Sequence, residues 1–457
     1  MSGQFFYSAA RQKRRRIAKF VNACEVRLMA ALAGPIAGIA LVNVSMAVTD
    51  TIMASVLGPT ALAAIAVGSD VYSIFFFALA SAIGGLSPLL AQAVATADRQ
   101  RMDKIRAASW VVYVLGLSIV FPIVWFSPLA LSFAGVEDDL LNVGEGYVRL
   151  MALTMIPLGI VAVYRARFAA IQRPQVALYI SLCAIPLNAL ANFVFMFGVG
   201  DWNGLGVIGA GYASLVVSAT IATAMAIAAK RIGDRAERFK PQICHVVELL
   251  RAGVPIGLAT LAEVGVFFGA TIYLAATSAD QVAAHAIVLR LASIAYVVPY
   301  GLLQAGMVRM ARTNSGRHAR LRRKRAIVSG GILSLTSGAV LGTSLVGVAF
   351  FLPGLLSSAG TINPSQMHLI TSLILIVALM EFAEPVGTAF TGLMRGQRDD
   401  FAAMAVSVVG SWGVAMPIAL GLDYCLASGV IGIWLGLAAG KVVAAFISAR
   451  RVLLRWG

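Results

Sequence analysis

Charge is scarce in this sequence. Only 12% of its 457 residues are Asp, Glu, Lys or Arg, about half the roughly 25% that soluble domains carry. A chain that is also 60% hydrophobic has too little polar surface to coat a water-facing fold, which excludes the ordinary soluble class. Cysteine and histidine are scarcer still, at four each. Cys24, Cys183, Cys244 and Cys425 lie far apart with neither metal nor redox spacing, so no disulfide framework follows and they read as packing residues. The scattered histidines give no metal site. No glycine-rich phosphate loop of the Walker A kind occurs, so direct use of ATP is not expected. The pairs Asp138-Asp139 and Asp399-Asp400 fall in loops and lack the second acidic cluster that a membrane-embedded prenyltransferase would need to hold magnesium. No cofactor and no enzymatic chemistry are expected.

What the sequence has in plenty is long apolar runs. From position 28 to the C-terminus they recur in stretches of 18 or more residues, each long enough to cross a hydrocarbon layer that needs about 20 helical residues. Twelve helices are expected, near 28–52, 61–90, 107–132, 148–170, 176–198, 206–229, 250–276, 281–308, 326–352, 366–394, 401–422 and 428–449. The net charge of +16 would point to nucleic acid in a soluble protein, but its placement decides otherwise. Of the 36 basic residues, 33 sit in the tails and in alternate connections: 11–27, 99–106, 165–173, 230–251, 309–325, 395–398 and the C-terminal tail. All of these fall on one side if the helices alternate direction. Such asymmetry is the positive-inside rule, so an inner-membrane, multi-pass protein with both termini cytoplasmic is expected. Arg14, Arg15 and Arg16 imitate a secretory signal, but the first span is too long for one and is read as retained.

The chain also repeats itself. An offset of 220 superimposes Pro35 on Pro255, Ala63 and Ala64 on Ala283 and Ala284, and Ser73-Ile74 on Ser293-Ile294, while Gly206-Val-Ile-Gly209 matches Gly429-Val-Ile-Gly432 at 223. The constant order gives the matches meaning. A six-helix repeat keeps its membrane orientation, so the halves are expected to be related by an axis along the membrane normal, one of the repeat plans of secondary transporters. The reading is an all-α polytopic membrane protein: a basic tail 1–27, a six-helix lobe 28–229, a linker 230–249, a second lobe 250–449 and a tail 450–457, the two bundles related by a pseudo-twofold.

Ionisable residues inside the spans carry the functional reading. Asp50, Asp70, Glu263, Glu381 and Glu384 lie within apolar stretches, and each costs roughly 3 kcal/mol at mid-membrane if it faces lipid. They are therefore expected to face the bundle interior, to pair, or to bind protons or cations. Glu381 and Glu384 share a helical face, and Pro385 leaves the Glu381 carbonyl without its helical partner. Three basic residues stand outside the cytoplasmic set. Arg149 can snorkel outward toward the acidic loop of Glu137, Asp138, Asp139 and Glu145, Lys441 needs a partner the sequence does not name, and Arg290 is well inside its helix. The 220 offset makes Asp70 and Arg290 equivalent positions, candidates for an interlobe salt bridge that gates the cavity. Tyr72, Phe75, Phe267, Phe268 and Phe382 are candidate stacking surfaces for a flat cation, although packing is the commoner role of such residues.

These residues resemble the multidrug and toxic compound extrusion (MATE) family, nearest its bacterial NorM-like branch, from about 28 to 450. The likeness is carried by Val48-Thr-Asp50-Thr-Ile-Met53, Leu57-Gly58, Ala61-Leu-Ala-Ala64, Pro186-Leu-Asn188 with Asn192, Phe197-Gly198, Gly253-Val-Pro255-Ile-Gly257 leading to Glu263-Val264, Val282-Ala-Ala-His285, and Arg395-Gly396. The resemblance implies a cation-coupled antiporter that exports amphipathic, often cationic, compounds by alternating access between two lobes, driven by H+ or Na+. It makes Asp50 the coupling acid of helix 1 with Asn188 and Asn192 near it, and Glu263 the helix 7 acid. Glu384 stands where near relatives carry Asp, and Asp70, Arg290 and Pro385 depart from the family pattern. Expected partners are small amphipathic or cationic molecules, H+ or Na+ and membrane lipid, with no nucleic acid and the protein acting as a monomer. A flippase for lipid-linked precursors, the nearest alternative, is expected to line its cavity with several basic residues, whereas Arg290 stands nearly alone among acids.

Overall fold

The computed structural model describes residues 2–133, 138–233, 240–275, 279–314, 318–358 and 364–456, and no β-strand occurs among them. Glu137 of the acidic loop and the basic residues Arg235, Arg238 and Arg317 lie outside the described residues. The helices are α1 (Ser2–Val56), α2 (Pro59–Gly84), α3 (Leu86–Ala95), α4 (Arg99–Trp125), α5 (Ser127–Phe133), α6 (Asp138–Ala170), α7 (Pro174–Asn192) and α8 (Val207–Arg231), followed by α9 (Ile243–Ala275), α10 (Ala279–Ala295), α11 (Val297–Ala311), α12 (Ala319–Ser358), α13 (Pro364–Gly396), α14 (Asp400–Val408), α15 (Met416–Leu426) and α16 (Gly429–Trp456). Together they supply twelve stretches long and apolar enough to cross a membrane. Helical hydrogen bonding and capping, not apolar length alone, set where a helix begins and ends. Hence α4 begins at Arg99, with Asp98 capping it by accepting from the Arg101 N–H at 2.9 Å, rather than at 107. Its C-terminal end also differs from the expected 132, because α4 stops at Trp125 and α5 starts separately at Ser127.

Two short π-helical turns interrupt the regular pattern, Phe193–Phe197 after α7 and Val409–Ala415 between α14 and α15. Such turns recur at functional sites. The matched tetrapeptides of the repeat perform one task twice: Gly206 at φ 57° opens α8 and Gly429 at φ 53° opens α16. Both conformations are left-handed, where residues with a Cβ are strained and glycine is not.

The chain forms two compact units. One comprises residues 1–37, 274–399 and 413–457, the other 38–273 and 400–412. In the first, α13 is the hub, packed on α11, α12 and α16. In the second, α6 packs on α2, α4 and α8. The buried core is apolar, and large apolar side chains such as Ile119, Val340, Leu379 and Phe446 also lie on the exposed faces of their helices, as lipid requires. The four cysteines, expected to be packing residues, are all exposed instead, since an apolar surface makes a thiol as acceptable outside as inside.

Candidate functional site

Asp50 lies near the C-terminal end of α1, half-buried in a largely apolar stretch of helix. The α7 helix answers it. Asn188 and Asn192, one turn apart and buried, both donate Nδ2–H to Asp50 Oδ1, at 2.8 and 2.5 Å. Spacing of four residues is what puts two amides on one face of a helix. No hydrogen bond to Oδ2 is made by the described residues, so one oxygen is anchored and the other is available. Tyr147 of α6, buried and paired with the Ser69 hydroxyl at 2.8 Å, stands in the electrostatic field of both Asp50 and Asp70. Tyr72 is buried nearby on α2, stacked on Phe76 with ring centroids 5.4 Å apart. Asp50, Asn188, Asn192, Tyr147 and Ser69 thus form one polar group within a single unit.

A second group lies in the other unit. On α13, Glu381 is fully buried and Glu384 nearly so. Lys441 of α16 donates from Nζ to Glu384 Oε1 at 2.5 Å, and its ammonium sits 5.7 Å from the Tyr296 ring centre. The Lys441 partner that the sequence left unnamed is therefore Glu384. Both oxygens of Glu381 are buried without a hydrogen-bond partner among the described residues. Its backbone carbonyl, released from the helix by Pro385, faces Gly338 of α12, so closely that an added Cβ there would stand 3.0 Å away.

The remaining candidates are dispersed. Glu263 is half-buried on α9 and joins no side-chain hydrogen bond among the described residues, while Asp70 and Arg290 are both exposed on their helices. Phe267 is half-buried, and Phe382 lies half-exposed with its ring over Gly342 of α12. Arg149 pairs with Glu145 and lies over the Trp125 ring at 5.7 Å. The sequence reading missed Tyr147, whose type and place in a span carry no signal until Ser69 and Asp50 are seen beside it. It also missed Arg167, counted among the connection residues but buried, donating to the Arg106 carbonyl at 2.9 Å beneath the Trp110 and Tyr164 rings.

The MatE family model matches residues 35–194 and 255–420. The chain belongs to that family, the MATE transporters. Among its curated relatives, a protein of Bradyrhizobium diazoefficiens named probable multidrug resistance protein NorM is 30% identical over 444 residues, 93% of this chain and 91% of its own. A protein of the same name from Rhizobium meliloti is 28% identical over 432 residues, 92% and 90% of the two chains. Solved MATE structures share the fold: the eukaryotic MATE transporter AtDTX14 superposes with a TM-score of 0.81 at 18% identity, covering 95% of this chain and 96% of that one. An outward-facing multidrug resistance MATE family transporter gives 0.81 at 17% identity, over 94% and 96%. A MATE protein is a multi-pass transporter and not an enzyme, and it needs no cofactor.

Proposed function

We propose that this MATE protein is a secondary active multidrug efflux antiporter of a bacterial inner membrane, with both termini cytoplasmic. It exports small amphipathic or cationic molecules in exchange for H+ or Na+ by alternating access, working as a monomer whose lobes are 28–229 and 250–449 joined by the linker 230–249. Asp50 is the principal coupling acid, supported by Asn188 and Asn192, with Glu263, Glu381 and Glu384 as the acids of the other half. The observation that carries the reading is the Asp50 group. Its carboxylate is retained in a membrane span at a cost of roughly 3 kcal/mol on insertion scales, with one oxygen anchored by two amides. The second oxygen offers itself to a proton or a cation, but not to both at once, and that competition is sufficient for exchange. The name multidrug resistance protein borne by the curated relatives supports the substrate class.

The test is transport of a fluorescent cation by reconstituted protein under an imposed proton gradient and, separately, a sodium gradient, with Asp50→Asn and Glu263→Gln beside the wild type. At least one variant is expected to insert and fold yet lose exchange. Full coupled transport by both would remove these residues from the mechanism.

A further inference from the structure

The Glu381, Glu384 and Lys441 group bears on a question the antiporter reading leaves open, namely which ion the acids of the second half accept, and it is answered here on the footing of that reading. A sodium ion at Glu384 Oε1 would stand where the Lys441 ammonium already lies, 2.5 Å from that oxygen. Glu384 is 4% exposed. In so poorly solvated a place, repulsion between two cations a few ångströms apart is not screened away. The lysine is held there from a second side by the face of the Tyr296 ring.

Glu381 is placed differently. It is 0% exposed, and neither carboxylate oxygen has a hydrogen-bond partner among the described residues. Lys441 hydrogen-bonds Glu384 rather than Glu381, so an ionised Glu381 is a far costlier buried group than the neutral acid. The apolar part of α12, residues 326–358, has no ionisable side chain. The α10–α11 junction presents Tyr296 and, a turn on, Tyr300, and the α10 residue His285 lies against Trp434 with ring centres 5.6 Å apart. Arg290 is exposed, and Arg309 is bound to Glu25. Of the three side chains Lys441 is the most exposed, at 19%.

We infer that Lys441 is the resident cation of Glu384, that it bars sodium from this acidic pair, and that Glu381 carries the exchanged proton of the C-terminal half. In the proton step, hydronium at the Lys441 end gives a proton to a Glu381 oxygen, an O–H bond forms, water is left behind, and the charge of the three-residue group goes from −1 to 0. Release on the far side reverses it. The lysine is thus a specificity determinant for the coupling ion.

Binding of radiolabelled sodium to the purified full-length protein tests the inference, with Asp50→Asn as the background so that the other site does not contribute. That background is expected to bind no saturable sodium. Adding Lys441→Gln is expected to raise sodium affinity by about tenfold or more, adding Lys441→Arg to raise nothing, and combining Lys441→Gln with Glu384→Gln to abolish the gain. A folded Lys441→Gln protein without that gain overturns the proposal. So does saturable sodium binding in the background that Glu384→Gln removes, a result that needs no lysine variant to fold. Proton release on adding ethidium, followed with a pH-indicator dye in the same background, is expected to vanish in Glu381→Gln, and unchanged release overturns the assignment of the proton. Wild-type proteoliposomes that export ethidium under neither gradient would instead sink the antiporter reading, which the sodium-binding measurement does not address.

Discussion

Arg309 grips Glu25 through two parallel hydrogen bonds, Nε to Oε1 at 2.8 Å and Nη2 to Oε2 at 2.6 Å, across a sequence separation of 284 residues. Both side chains are only 15% exposed. The fork-on-carboxylate geometry ties the beginning of the first span to the end of α11.

Glu25→Gln keeps the shape but gives up one acceptor oxygen and the charge. The variant is expected to be less stable by about 1–3 kcal/mol, read as a lower midpoint of thermal unfolding in detergent. An unchanged midpoint would reduce the pair to a contact without energetic weight.

Asn192 donates to Asp50 while its own Oδ1 is buried without a partner. Replacing it by Ala therefore strands no group other than Asp50. Asn192→Ala is expected to fold normally and to shift the ion concentration giving half-maximal exchange by about tenfold, since a hydrogen bond to a charged group contributes about 1.5–3 kcal/mol. Efflux assays over a series of imposed gradients measure the shift.

Two glycines of one unit predict opposite outcomes for the same change. A Cβ at Gly392 on α13 would overlap the Leu303 carbonyl oxygen of α11, whereas one at Gly331 on α12 would meet nothing nearer than the Phe390 Cζ at 3.9 Å. Gly392→Ala is expected to cost about 1–3 kcal/mol by overpacking. Gly331→Ala is expected to be neutral or to stabilise by up to about 1 kcal/mol through helix propensity. Paired melting curves decide it.

The proposed orientation makes the native cysteines reporters. Cys425 is exposed at the C-terminal end of α15, while Cys24 and Cys244 stand at the other ends of their spans. On sealed cells a membrane-impermeant maleimide is expected to label Cys425 and to reach Cys24 and Cys244 only after permeabilisation. Labelling of Cys244 in sealed cells would invert the topology.

The spans are legible in one dimension because apolar length is a local property, and all twelve appear where hydropathy puts them. Their ends are less legible, since a helix such as α4 continues to Arg99 on backbone hydrogen bonds and an Asp98 cap that hydropathy does not register. The tie between Asp50 and its asparagines spans 138 and 142 residues and is reachable only through family resemblance. Lys441 announces a need without a partner, because Glu384 lies 57 residues earlier and meets it only through the packing of α13 on α16. Arg167 illustrates the converse. A count of positive charge by connection cannot separate a solvated arginine from one roofed by Trp110 and Tyr164. The π-helical turns, five and seven residues long, are too short to alter a hydropathy profile.

Gly206 and Gly429 enter their helices with nearly the same positive φ, 57° and 53°. Handedness at a junction constrains the backbone whatever side chains drift around it, so these two tetrapeptides mark equivalent seams in the duplicated chain. Chimeras exchanging α8 or α16 with another member of the family are best spliced there, where the incoming strand of sequence already carries the twist that the join demands.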